Sequence, residues 1–403
     1  MMKIGITQGD TNGVGWEVIL KTLSDSRFLE LCTPIIYGSS KAAAHYRNLL
    51  KDLEPIQFNT IKRASEARPG RVNLIETSSK ELVIEPGKCC KESGAAAVQA
   101  LNRAADDLKN EEIDALVTAP ISKEAVQSDD FRFTGHTEFL AAKLEGEPMM
   151  IMCSDRLRVG LVTIHIPISE ISSSITKEKI VERLNQLRAL LKQDFGIVEP
   201  RIAVLSLNPH AGDGGLLGGE EEQIIKPAIV EAFQSGVLAY GPFAADGLFS
   251  SGNYNRYDAI LAMYHDQGLA PFKTISPDGV NFTASLKAVR TSPDHGVAYD
   301  IAGKGLADPQ SMRSAIYMAI DIVRNRRNWQ EWNSNPLPHI EHERRERPER
   351  EGFDIRALKE EREQKGGFNN ESDSDSHHRR ERKWHPKGEQ ALDSEGKAPQ
   401  KEE

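Results

Sequence analysis

Along residues 1–332, short apolar runs alternate with longer stretches in which apolar residues recur every three or four positions. The runs "KIGIT", "PIIYGS", "DALVTAP", "PMMIMCS", "VGLVTIH" and "RIAVLSLNP" predict strands. The stretches "GAAAVQALNRAADDLKN", "TKEKIVERLNQLRALLKQDFG" and "EEEQIIKPAIVEAFQSG" predict helices, because their spacing lays one apolar stripe along each. Strands and helices in alternation predict an α/β fold with a largely parallel sheet. No internal repeat is visible. The run Ala259–Tyr264 predicts a buried strand covered on both faces, yet it ends in His265 and Asp266 rather than in Gly, Asn or Ser.

The pattern stops near Trp332. Beyond it, mixed charge replaces aliphatic runs, and such a segment cannot bury enough apolar surface to offset its ordering entropy. Residues 333–403 are expected to be a disordered tail with one short helix near Ile355–Glu363. Within it, "HHRRERKWH" reads as a solvated charge run, with RNA contact or metal binding as the alternatives. The body, 1–332, is too long for one ordinary core and is expected to form two subdomains.

Composition narrows the function. A net charge of −9 argues against a general nucleic-acid surface. Cys32, Cys89, Cys90 and Cys153 make no C-x-x-C pair, so neither a disulfide framework nor a cysteine zinc site is expected, and a reducing compartment is. No run approaches the ~18 apolar residues of a membrane span. The N-terminal "MMKIGITQGD" lacks a signal-peptide profile. A soluble cytoplasmic protein is expected.

Three of the histidines in the body share a setting. His165 closes "VGLVTIH", His210 follows "RIAVLSLNP" and His265 closes "AILAMYH". Ligands of open α/β sheets bind outside the carboxyl ends of the strands, so three imidazoles delivered there could converge. Three neutral imidazoles with an open fourth position suit a catalytic zinc or similar divalent ion that polarises a substrate oxygen. Taken singly, each is more often a hydrogen-bonded loop residue than a ligand; three in matching settings favour the ligand reading. Asp266 and Asp246 read either as carboxylates that orient such ligands or as turn and cap residues.

Further candidates come from loops. Gly9, Gly13 and Gly15 in "TQGDTNGVGWE" could present backbone N–H groups to an anion, although the spacing is neither G-x-G-x-x-G nor Walker A. "NPHAGDGGLLGGEEE" suits a mobile substrate loop or a structural turn. In "TGHTEFLAAKL", Thr137 is a natural N-cap beside His136, and that helix start favours a phosphate or carboxylate. Lys273, Asn281 and Arg290 follow, and the two cations could neutralise a phosphate or serve as surface ion-pair partners.

The ordered blocks "DALVTAPISKEA", "FTGHTEFLA", "VTIHIP", "LNPHAGDGG", "YHDQGLAPFK", "GVNFT" and "RTSPDHGVAYDIAGKG" resemble the 4-hydroxythreonine-4-phosphate dehydrogenase family of pyridoxal phosphate biosynthesis, from about Lys3 to Trp329. The last block also resembles β-decarboxylating dehydrogenases such as isopropylmalate dehydrogenase, which bind a nicotinamide cofactor without G-x-G-x-x-G. The resemblance implies a two-subdomain isopropylmalate-dehydrogenase-like fold with the active site in the cleft. It implies His165, His210 and His265 as ligands of one divalent metal (Zn, Mg or Co) and His136, Thr137, Lys273, Asn281 and Arg290 as substrate contacts. It implies His295 and Gly296 as contacts of NAD or NADP. It implies a homodimer with the site at the subunit interface, His265 being contributed in trans.

The implied reaction is oxidation of 4-phosphooxy-L-threonine at C3, then decarboxylation to 3-amino-1-hydroxyacetone 1-phosphate. Lys273 or a metal-bound water would handle protons. A paralogous enzyme for 4-phospho-D-threonate or 4-phospho-D-erythronate would share the same residues. A tail-borne binding protein and a metal-dependent hydrolase are the readings from other classes. The first loop departs from the family pattern: Gln8, Thr11 and Trp16 stand where prolines are expected, which predicts a more flexible loop.

Overall fold

The apolar runs pair into one sheet of twelve strands in a computed structural model that describes residues 1–337 except 52, 55, 79, 80, 129, 130, 134 and 145. The strands are β1 (Lys3–Thr7), β2 (Thr33–Gly38), β3 (Phe58–Ile61), β4 (Val72–Glu76), β5 (Ala115–Thr118) and β6 (Gly146–Cys153). They continue with β7 (Arg158–Leu161), β8 (Arg201–Leu205), β9 (Leu238–Phe243), β10 (Ala259–Ala262), β11 (Val280–Leu286) and β12 (Val289–Pro293). Their order across the sheet is β3-β4-β2-β1-β5-β12-β11-β6-β7-β10-β8-β9.

Two parallel blocks make up this sheet, β3 to β12 on one side and β7 to β9 on the other. Between them lies an antiparallel seam, β12 with β11, β11 with β6, and β6 with β7. The central strands β1, β5, β8 and β10 are buried almost throughout, as strands covered on both faces must be.

The helices cover those faces where the three-to-four spacing predicts them. Lys177–Gln193 starts with Thr176 accepting from the Lys179 N–H and buries Ile180, Leu184, Leu187, Leu190 and Leu191. Each such side chain contributes about 1.5–3 kcal/mol when fully buried. Lys91–Lys109 buries a ridge of alanines, which lets it lie close to the sheet. The segment "EEEQIIKPAIVEAFQSG" is not one regular helix: Glu221–Ile225 is a π turn ahead of the α-helix Lys226–Gln234. The last helix, Gln310–Ser334, runs past the compositional break at Trp332, and Met1–Pro336 is one compact unit. The short helix expected near Ile355–Glu363 and the "HHRRERKWH" run lie outside the described residues. No helix among the described residues is long and apolar enough to cross a membrane.

The glycine loop after β1 is a buried joint. The Gly9 φ is +68°, and a Cβ there would meet the Pro120 carbonyl oxygen at 2.4 Å; at Gly15 it would meet that of Gln8 at 2.3 Å. The residues at the expected proline positions are buried and cross-linked, contrary to the flexibility predicted for this loop. Trp16 Nε1 donates to Gln8 Oε1 at 3.1 Å, and the Ser39 N–H donates to the same oxygen at 2.8 Å. Buried Glu17 accepts from the Gly305 and Ala307 N–H groups, pinning the "DIAGKGLADP" segment to the first helix, Gly15–Leu23.

Candidate active site

A cavity of about 440 Å³ opens on the antiparallel seam, within the usual small-molecule range of roughly 300–1,000 Å³. The cross-strand register places Asn281 opposite Ser292 and Thr283 opposite Arg290, while Arg290 also faces Leu116 of β5. Arg290 is only 2% exposed. Its Nε and Nη2 donate to Thr118 Oγ1 at 3.1 and 2.6 Å, and its Nη1 donates to Thr283 Oγ1 at 2.9 Å. Both partners are neutral hydroxyls, so among the described residues the buried positive charge meets no carboxylate in hydrogen-bond contact. Burial pulls its pKa down to about 9, partly opposed by Glu138, so the group is still cationic at neutral pH. A desolvated guanidinium facing a cavity is a strong receptor for a phosphate or carboxylate.

His136 opens the helix His136–Lys143, and the N-cap is Gly135 with no side-chain cap bond. Thr137 is therefore inside the first turn and does not cap the helix; Gly135, whose backbone is fully extended, takes that place. Both His136 and Thr137 line the cavity. Burial, reinforced by the Arg290 charge, holds the His136 imidazole far below its ordinary pKa and thus neutral. Among the described residues, three buried side-chain atoms around this cavity, His136 Nε2, Asn281 Oδ1 and His295 Nε2, have no hydrogen-bond partner. Leaving such atoms unpaired costs about 1–3 kcal/mol each, so their gathering on one cavity marks a surface built for a polar ligand.

Lys273 lies across the cavity, its Nζ 3.1 Å from Asp294 Oδ1. The lysine is half exposed and the aspartate is mostly buried. Burial raises the Asp294 pKa, against the opposing pull of Lys273.

The three strand-end histidines follow three adjacent parallel strands, β7, β10 and β8. The strands themselves stop earlier, at Leu161, Ala262 and Leu205, and His265 is the first residue of the helix His265–Ile275. His165 and His265 line the cavity with ring centroids 5.7 Å apart. His265 Nδ1 is 2.7 Å from Asp266 Oδ1, which leaves Nε2 as its open nitrogen, the arrangement of an oriented metal ligand. Burial, then Lys123, lowers the His165 pKa and keeps its ring in the neutral, donor form.

His210 is exposed and does not line the cavity. It starts a run of left-handed residues, His210 to Gly214, with φ between 44° and 77°. This "NPHAGDGG" loop is tied down at its base by buried Glu221, which accepts from the N–H groups of Leu207 (2.8 Å) and Asn208 (2.7 Å). Asp246, on the first turn of the helix Ala245–Ser250, is also exposed and outside the cavity. Among the described residues, no three His, Cys, Asp or Glu side chains stand close enough to hold a metal. One chain thus presents a pair of imidazoles, suited to a divalent cation, with the third histidine on a neighbouring loop.

His295 and the exposed Gly296 lie at the other end of the cavity. His295 also borders a second space of about 600 Å³ walled by Ala298, Ile301, Asp278 and Asp308. The sequence reading passed over Thr118, Glu138 and Asp294, which all line the cavity. Glu138 and Asp294 are direct neighbours of Thr137 and His295, and that adjacency was the available signal. Glu138 Oε1 stands 4.0 Å from His165 Nδ1.

The sequence model of the family described as pyridoxal phosphate biosynthetic protein PdxA matches residues 30–319. A Bacteroides thetaiotaomicron protein named 4-hydroxythreonine-4-phosphate dehydrogenase is 54% identical over 348 residues, covering 86% of this chain and 95% of that protein. An Oceanobacillus iheyensis relative named provisionally as a D-threonate 4-phosphate dehydrogenase is 39% identical over 327 residues, covering 79% of this chain and 97% of that protein. The crystal structure of the 4-hydroxythreonine-4-phosphate dehydrogenase of Klebsiella pneumoniae matches with a TM-score of 0.70 at 32% identity, covering 80% of this chain and 98% of that one.

Proposed function

Because the chain belongs to the pyridoxal phosphate biosynthetic protein PdxA family, we propose that it oxidises 4-phosphooxy-L-threonine at C3 and releases CO2, giving 3-amino-1-hydroxyacetone 1-phosphate. The observation that carries this reading is Arg290, a buried cation on neutral hydroxyls at the floor of a cavity lined by every expected substrate contact.

Arg290 binds the phosphate, and neutral His136 donates or accepts through its unpaired Nε2. Thr137 and Asn281 orient the rest of the substrate. His165 and His265, with His210, would hold one divalent cation, and Asp266 fixes the His265 ring. That cation, when bound, would supply a Lewis acid for the C3 oxygen and for the charge that develops as CO2 leaves. NAD or NADP, when bound, would accept the hydride. His295 and Gly296, at one end of the cavity, would hold it. Lys273 Nζ holds or moves the proton of the C3 hydroxyl, with Asp294 setting its position.

In a homodimer with the site at the subunit interface, His165 and His265 of one chain would share a cavity and the exposed loop carrying His210 and Leu216, 80% exposed, would complete the ligand set from the second copy, a reading that moves the in-trans ligand from His265, where the resemblance puts it, to His210. The two parallel blocks act as two subdomains about the seam. The runner-up substrate is 4-phospho-D-threonate, favoured by the name of the Oceanobacillus relative. Simultaneous measurement of NADH and CO2 from 4-phosphooxy-L-threonine tests the reaction: equal yields support it, and NADH without CO2, or neither, overturns it.

A further inference from the structure

A separate, second cavity, of about 400 Å³ and open to solvent, lies at the opposite ends of elements that build the active site. Its floor is apolar, formed by Leu108, Ile113, Leu144, Val289 and Val323. Its rim carries Lys109, Lys143, Lys287, Arg326 and Arg327 against the carboxylates Glu111 and Asp114, in a chain of net charge −9. Three of these cations are committed: Lys143 to Asp106 at 2.7 Å, Arg326 to buried Asp194 at 2.7 Å, and Arg327 to Asp114. Lys109 and Lys287 have no ion-pair partner among the described residues. Two uncommitted ammonium groups over an apolar floor suit a small anion with a flat apolar body.

Three elements run from this cavity to the active one. On β12, Val289 faces the second cavity and the next residue, Arg290, lines the first. On β5, Asp114 precedes the strand at the second cavity and Thr118, the acceptor for Arg290, ends it at the first. The helix His136–Lys143 starts in the active cavity and ends with Lys143 and Leu144 in the second. A ligand held by Lys287 at the β12 start and packed on Leu144 at the helix end therefore bears on the elements that position His136 and Arg290.

We propose that this cavity binds an aromatic phosphate monoester and that its occupancy alters substrate affinity at the active cavity. The coupling half rests on the substrate reading above; the binding half does not. The effect is reciprocal, since substrate must change the affinity of the second ligand by the same factor.

Pyridoxamine 5'-phosphate is a suitable probe, because it has no aldehyde to condense with lysine. Calorimetric titration of the full chain is expected to show a site that survives Arg290→Ala and weakens roughly tenfold in Lys109→Ala/Lys287→Ala, the loss of charge-assisted contacts. Ala288→Trp, which fills the cavity, is expected to abolish it. Inorganic phosphate is expected to bind at least tenfold more weakly, lacking the apolar body. Saturating probe is expected to shift the affinity for 4-phosphooxy-L-threonine without competing with it. Absence of probe binding, binding untouched by the lysine changes, or simple competition with substrate overturns the proposal. If the substrate itself fails to bind, the substrate reading fails while the lysine variants still decide the second site.

Discussion

Arg290 rests on Thr118: two of its nitrogens converge on one threonine hydroxyl, at 3.1 and 2.6 Å, from the neighbouring strand. A hydrogen bond to a charged group contributes about 1.5–3 kcal/mol when buried. Thr118→Val preserves the shape and removes the acceptor. It is expected to raise KM for the phosphorylated substrate roughly tenfold, the factor of about 1.4 kcal/mol, with a smaller change in kcat. Steady-state kinetics check this, and an unchanged KM removes Thr118 from the phosphate site. Arg290→Ala is expected to raise KM further.

The same cation predicts a pH dependence. Its pKa is pulled down to about 9, so it is charged below that pH and progressively neutral above it. Substrate affinity is expected to be flat near neutral pH and to fall about tenfold per unit once the pH passes 9, since one proton is then lost per site. A KM profile that stays flat well above pH 9 contradicts the assignment of Arg290 as the anchoring charge.

At the histidines, the predictions concern metal content. His210→Ala and His165→Ala are expected to lose the bound divalent ion, measured by elemental analysis after dialysis. Full occupancy in His210→Ala removes it from the ligand set. Asp266→Asn keeps the ligand but loosens its orientation, with an expected loss of about 10–100-fold in metal affinity.

In the first loop, Gln8 and Trp16 form a bonded pair. The indole N–H has no other hydrogen-bond partner among the described residues, and Gln8 Oε1 also holds the Ser39 N–H. A double-mutant cycle with Trp16→Phe and Gln8→Ala, read by urea denaturation, is expected to give a coupling of about 1 kcal/mol. Additive effects mean that the bond contributes nothing.

The alternation of strands and helices was legible because buried parallel strands and amphipathic helices have distinct periods. The seam was not, because an antiparallel strand buried over its last five residues, as β6 is, reads like a parallel one. His165, His265, His136 and Arg290 could be picked from local setting and family resemblance, since each ends or starts an element at the cavity. Thr137 as a cap was misread, because Gly135 ahead of it takes the N-cap position without any side chain. Asp294 escaped notice because its significance lies in Lys273, 21 positions away in the chain but 3.1 Å away in space. The packing role of Gly9, Gly13 and Gly15 was hidden for a similar reason: the backbone and side chains that crowd them come from Pro120, Val297 and Gln8, which no local pattern announces.

The most direct test of the central claim is the ratio of kcat/KM for NAD reduction with 4-phosphooxy-L-threonine to that with 4-phospho-D-threonate, measured on the full chain with divalent metal present. A ratio above one is expected, with activity abolished by chelation. Reduction of NAD only with the threonate, or undiminished after the metal is stripped, contradicts it.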